Sequence, residues 1–116
     1  GVNLLGYTAT LAAFRDCNPW QGALLDYLRG NLCALEQTIG RIPTLSLAPV
    51  EATYLAWIDM RATGVQHPSD FFKAAGVGLQ DGSKFAAPGF VRLNFGCPRS
   101  LLVEALDRMA AAMADV

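Results

Sequence analysis

The apolar residues change period at Gly40-Arg41-Ile42-Pro43, and that switch limits the folds open to the chain. Upstream, Trp20, Leu24, Tyr27 or Leu28, Leu35 and Ile39 recur at helical spacing, with Leu25 and Leu32 widening the apolar face. Downstream, Leu45 and Leu47 alternate with Thr44 and Ser46, the period of a strand. Helices come first, then short strands with two helices interposed. This order predicts an α+β fold, a small and mostly antiparallel sheet covered by helices and preceded by a long spine helix. The expected boundary between the N-terminal helices (1–42) and the small domain (43–116) falls at the same switch.

Local signals place the elements. The Ala- and Leu-rich stretch from Asn3 to Arg15 reads as a short helix. Asn18-Pro19-Trp20-Gln21 reads as a new helix start, with Asn18 as N-cap, Pro19 at the first helical position and Gln21 closing a capping box. Gly40 and Pro43 end this spine, whose length suits packing on more than one neighbour. Thr53 to Asp59 is strand-like and apolar on both faces, a short helix follows His67-Pro68-Ser69-Asp70, and Val77 to Leu79 is expected as a brief strand. Gln80 to Gly89, with Asp81-Gly82 and Pro88-Gly89, reads as a loop. Cys97-Pro98 opens the last helix, striped by Leu102, Ala105 or Leu106, Met109 and Met113. Trp20, Trp57, Phe71 and Phe72 are expected in the core.

Composition narrows the function classes. At 116 residues the chain can bury roughly two thirds of its unfolded surface, so one domain needs neither disulfides nor metal. Charged residues are 16% of the chain, against about a quarter in ordinary soluble domains, which predicts apolar surface hidden against something further. A net charge of −1 without a basic stretch argues against nucleic-acid binding, and no uninterrupted apolar run is long enough for a membrane span. The start, Gly1-Val2-Asn3-Leu4-Leu5, has neither an initiating Met nor a basic leader and leads us to expect a piece of a longer chain. Cys17, Cys33 and Cys97 show no metal or CxxC spacing and read as reduced thiols of a cytoplasmic protein.

The residues most open to chemistry lie in Phe90-Val91-Arg92-Leu93-Asn94-Phe95. Alternation puts Val91, Leu93 and Phe95 on one face and Arg92 with Asn94 on the other. A guanidinium on a half-buried face needs a partner: a ligand carboxylate held through its planar fork, or a surface acid such as Asp59 or Asp81. His67 reads as a turn or capping residue, and Cys97 as a small residue at a helix start. Asp16, Asp81 and Glu51 have no paired-carboxylate spacing. Gly76, Gly78 and Gly82 lack the strand, turn and helix order of a phosphate cradle. Gly82-Ser83-Lys84-Phe85 sits in the loop before the Arg92 strand, the wrong context for a Schiff-base lysine.

Glu51-Ala52-Thr53-Tyr54-Leu55-Ala56-Trp57-Ile58-Asp59 and Gly89-Phe90-Val91-Arg92-Leu93-Asn94-Phe95-Gly96-Cys97-Pro98-Arg99 resemble motifs of the C-terminal part of the pyridoxal-phosphate (PLP)-dependent class I/II aminotransferase superfamily. They are most similar to the cystathionine β-lyase type of carbon–sulfur lyase. Leu4 to Phe14 and Pro19-Trp20 through Leu28 match the helices ahead of that small domain. The resemblance implies a parent enzyme, a homodimer, whose large domain holds PLP and whose small domain closes over an amino-acid substrate. It assigns the α-carboxylate to Arg92, with Asn94 in a supporting role. The Schiff-base lysine and the other cofactor ligands of the family lie upstream of the matched region, and Lys73 and Lys84 do not stand in their context. The chain alone is therefore expected to bind no cofactor and to be inert. A transaminase parent and a freestanding binding domain are the alternative readings.

Overall fold

The computed structural model describes residue 1, residues 3–114 and residue 116. Asn3 caps the first helix, α1 (Leu4–Asp16), its Oδ1 accepting the Gly6 N–H at 2.7 Å. Cys17 alone separates α1 from α2 (Asn18–Ile39). Because α1 runs to Asp16, Cys17 rather than Asn18 occupies the N-cap position, and the expected capping box does not form. The Gln21 N–H donates instead to the Cys17 carbonyl at 2.9 Å, and Pro19 stands at the second helical position rather than the expected first, still within the turn whose N–H groups need no intrahelical partner. At the other end the Gly40 N–H closes on Glu36 O at 2.9 Å before Pro43 prevents continuation.

The strands β1 (Ser46–Leu47), β2 (Leu55–Asp59), β3 (Gln80–Asp81) and β4 (Phe90–Asn94) form one antiparallel sheet in the order β1-β2-β4-β3. The central pair sets Trp57 opposite Arg92 and Leu55 opposite Asn94. Two expectations need correction. The first strand residues are lost from Thr53-Tyr54 because Thr53 has φ 67°, a left-handed conformation incompatible with a β ladder. The brief strand expected at Val77 to Leu79 is displaced to Gln80–Asp81, inside the stretch read as a loop. Val77 is drawn into the core just after α3 (Pro68–Ala74), its N–H bonding Phe72 O at 2.8 Å, and pairing with β4 starts only at Gln80.

The helices cover one face of the sheet. Leu35 and Ile39 of α2, Ala56, Ile58, Val91 and Leu93 of the sheet, and Leu102, Leu106, Met109 and Met113 of α4 (Arg99–Met113) form the core with Met60, Phe72 and Phe95. Of the aromatics expected inside, Phe72 is buried, Phe71 and Trp57 are half-buried, and Trp20 is 67% exposed. Trp20 lies in the first turn of α2, where it lines a cavity with Ala13 and Phe14 of α1, and α1 itself has no buried residue. Leu4, Leu5 and Phe14 are more open still than Trp20, so the low charge of the composition corresponds to an uncovered apolar face here. Among the described residues no helix is long and apolar enough to cross a membrane.

Candidate carboxylate-binding site

The second face of the sheet carries Leu55, Trp57 and Asp59 from β2 and Phe90, Arg92 and Asn94 from β4, as alternation requires. Arg92 lies in the middle of it, flanked by Trp57 on one side and Gln80 on the other. A 3₁₀ turn, Gly82–Phe85, follows β3 and returns Phe85 over the same face. The Phe85 ring meets Trp57 edge-on at 5.5 Å, and the Arg92 guanidinium lies 4.3 Å from the Phe85 centroid and 6.0 Å from that of Trp57. Arg92 and Asn94 line one cavity of about 290 Å³ with Leu55, Gly78 and Gln80.

No acid claims Arg92 among the described residues. Its Nη2 donates to the neutral amide oxygen of Gln80, and its buried Nε has no hydrogen-bond partner. Asp59 is taken by Arg61, at 2.7 Å, which holds its carboxyl below the ordinary carboxylate range. Asp81 is taken by Ser83, whose hydroxyl and N–H lower its carboxyl likewise, and it also accepts from Ser69 Oγ at 3.1 Å. Both candidate acids for a purely structural pairing therefore have other partners. A guanidinium against the Phe85 ring, holding only a neutral amide, can exchange that amide for a carboxylate, since charge-assisted bonds are about twice as strong. Asn94 is less free: its Oδ1 accepts the Gly96 N–H at 2.9 Å and shapes the turn out of β4.

The remaining candidates stay apart from this cavity. His67 occupies the N-cap position of α3 without a side-chain capping bond. The three thiols are unpaired, and Cys97 precedes α4 by two residues, with Pro98 as its N-cap. Lys73 and Lys84 are exposed, in the last turn of α3 and in the 3₁₀ turn.

Sequence reasoning overlooked Gln80 and Phe85, hidden in a segment read as a loop, and a second polar cluster behind the sheet. Asn31 of α2 is fully buried, with Nδ2 donating to Phe95 O and Cys97 O, both at 2.9 Å. Its Oδ1 accepts from Arg99 Nε at 3.0 Å, and Arg99 also bonds Tyr27 and lies 4.8 Å over its ring. The available signal was a polar residue at 31, on the apolar stripe between Leu28 and Leu35.

The architecture is that of the small C-terminal domain of PLP-dependent enzymes, with Arg92 on its open face. No family model matches the chain. It is 31% identical to the cystathionine β-lyase PatB of Bacillus subtilis, over 97% of this chain and 31% of that protein. It superposes on the crystal structure of OvoB with TM-score 0.94 and 46% identity, over 100% of this chain and 31% of that one. With a PLP-dependent β-cystathionase, so described as putative, from Corynebacterium diphtheriae the TM-score is 0.87 and the identity 40%, over 98% and 32% of the two chains. The proteins this chain matches include cystathionine β-lyases and PLP-dependent carbon–sulfur lyases, and the match falls in their C-terminal region. The chain spans about 31% of the length of the curated relatives, whose larger remaining part has no counterpart here.

Proposed function

We propose that this chain is the small domain of a longer, PLP-dependent carbon–sulfur β-lyase and that Arg92 grips the α-carboxylate of its substrate. Residues 1–42 join it to the large domain and residues 43–116 form the domain proper. The carrying observation is Arg92, a guanidinium beside the Phe85 and Trp57 rings on an open sheet face and bonded only to the neutral Gln80 amide. A bidentate carboxylate satisfies the fork that Gln80 satisfies at one nitrogen only. Asn94 supports the site by fixing the Gly96 turn beside it.

The substrate class is cystathionine or a related sulfur amino acid, whose β-elimination releases a thiol, pyruvate and ammonia. PLP, when bound, supplies the electron sink. The residues of this chain do not fit that group: the Arg92 cavity contains neither an amine to bind an aldehyde nor an acid to pair a ring nitrogen. The cofactor is therefore assigned to the remainder of the protein, and this chain alone is inert. Arg92 contributes orientation, holding one end of the substrate so that the bonds at Cα stand correctly to the reacting groups. The open apolar face of α1 and of early α2 supports docking on the large domain. A cytoplasmic homodimer is the corresponding assembly, and the unpaired thiols are compatible with a reducing compartment.

Product analysis of the full-length protein, purified with PLP and given cystathionine with and without a keto acid, tests the reading. Pyruvate and free thiol without acceptor are expected. Amino-group transfer that depends on the acceptor would make the protein a transaminase with the same clamp.

A further inference from the structure

We propose that Asn31 is a positioning residue for the carboxylate clamp, tying the exit of the Arg92 strand to the spine helix. The inference rests on Arg92 being the carboxylate ligand. Three residues beyond Arg92, the Phe95 carbonyl accepts from Asn31 Nδ2, and two residues further the Cys97 carbonyl accepts from the same nitrogen. Both amide hydrogens of Asn31 are thereby used, and its oxygen holds Arg99 Nε. Arg99 completes the tie, its N–H donating to Tyr27 Oη at 2.6 Å and its Nη2 to Tyr27 O at 3.0 Å. Residues 95–99 are thus fastened to residues 27–31 of α2 by five hydrogen bonds.

An apolar residue would suit position 31 for stability alone, because Leu28, Leu35 and Ile39 on the same stripe pack against the core. Apolar packing is non-directional, whereas a fully satisfied buried amide fixes register and orientation. α2 leads back through Cys17 to α1, the helix with the open apolar face. Asn31 therefore sets where the Arg92 strand stands relative to the part of the protein that holds the other end of the substrate.

The test uses the full-length enzyme with cystathionine, and calorimetric binding of two probes, L-alanine and its decarboxylated counterpart ethylamine. In Asn31→Leu we expect KM to rise roughly 10- to 100-fold, the scale of a misplaced binding group, with kcat changing less. L-Alanine affinity should fall and ethylamine affinity should hold. In an Arg92→Lys background the same substitution should add less than about threefold, since the group being positioned is already impaired. Tyr27→Phe, which removes one bond at the surface, should shift KM in the same direction by about threefold, and it carries the test if Asn31→Leu does not fold. Penalties that multiply in the double variants, or equal losses for both probes, would overturn the positioning role. If Arg92→Lys alone leaves L-alanine binding unchanged, the clamp reading falls first and this inference with it.

Discussion

Gln80 and Arg92 stand opposite each other in the β3–β4 register, and the Gln80 amide oxygen accepts the Arg92 Nη2 hydrogen bond. On the proposed function, Gln80 is a neutral stand-in for the substrate carboxylate, readily displaced because it satisfies one nitrogen with an uncharged oxygen. Gln80→Glu replaces it by a permanent competing anion. A charged acceptor strengthens such a bond by about 1.4 kcal/mol, or tenfold in occupancy. We expect KM for the amino-acid substrate to rise about tenfold with kcat retained, and the penalty to shrink at high salt. Steady-state kinetics at two ionic strengths check both.

Phe85 lies under the Arg92 guanidinium at 4.3 Å but is itself exposed, so its contribution is local. An exposed cation–π contact is worth about 0.5–1 kcal/mol. Phe85→Ala should raise KM about two- to fivefold and leave the thermal midpoint nearly unchanged. A large fall in Tm would instead make Phe85 part of the fold.

Asp59 has its carboxyl lowered by hydrogen bonds from the side chain and backbone of Arg61 and by the Arg61 charge. A folded-state pKa below the unfolded one gives stability that is present above the unfolded value, and this is lost as pH falls through the folded value. The Asp59–Arg61 pair therefore contributes at neutral pH and fades only in acid, below the ordinary carboxylate range. Asp59→Asn should flatten that part of the Tm profile between roughly pH 5 and pH 2. Thermal unfolding measured across that range for both proteins reads it directly, and parallel profiles would remove the pair from the account.

The strand pattern of Phe90 to Phe95 was legible because alternation acts residue by residue, and it placed Arg92 and Asn94 on one face without any tertiary knowledge. The helix stripe of α4 was legible for the same reason. What surrounds Arg92 was not, since Gln80 and Phe85 reach it through a two-residue strand and a 3₁₀ turn whose local sequence is dominated by turn formers. The start of α2 was misread because Asn18-Pro19 carries a strong capping signal, and only the length of α1 shows that Cys17 already occupies the cap. Trp20 was misassigned to the core because periodicity reports that a face is apolar and not what covers it.

Gly30 offers a case in which helix propensity and tertiary packing oppose each other. In the interior of α2, alanine is about 0.8–1 kcal/mol better than glycine. A Cβ at this position would stand 2.2 Å from Arg99 Nη2 and 2.9 Å from its Cζ. The obstacle is the flexible end of a side chain, so the backbone need not move and the guanidinium swings away. In doing so it gives up Asn31 Oδ1, Tyr27 O and the Tyr27 ring, and it leaves the buried Asn31 oxygen unpaired. That unpaired group alone costs about 1–3 kcal/mol, which outweighs the propensity gain. Gly30→Ala should therefore destabilise by roughly 1 kcal/mol. With Arg99→Ala already in place the obstacle and its bonds are gone, and the same substitution should stabilise by about 0.8 kcal/mol. Urea unfolding of the four proteins measures this reversal of sign, and a Gly30→Ala effect of one sign in both backgrounds would show that Arg99 does not need the space glycine leaves.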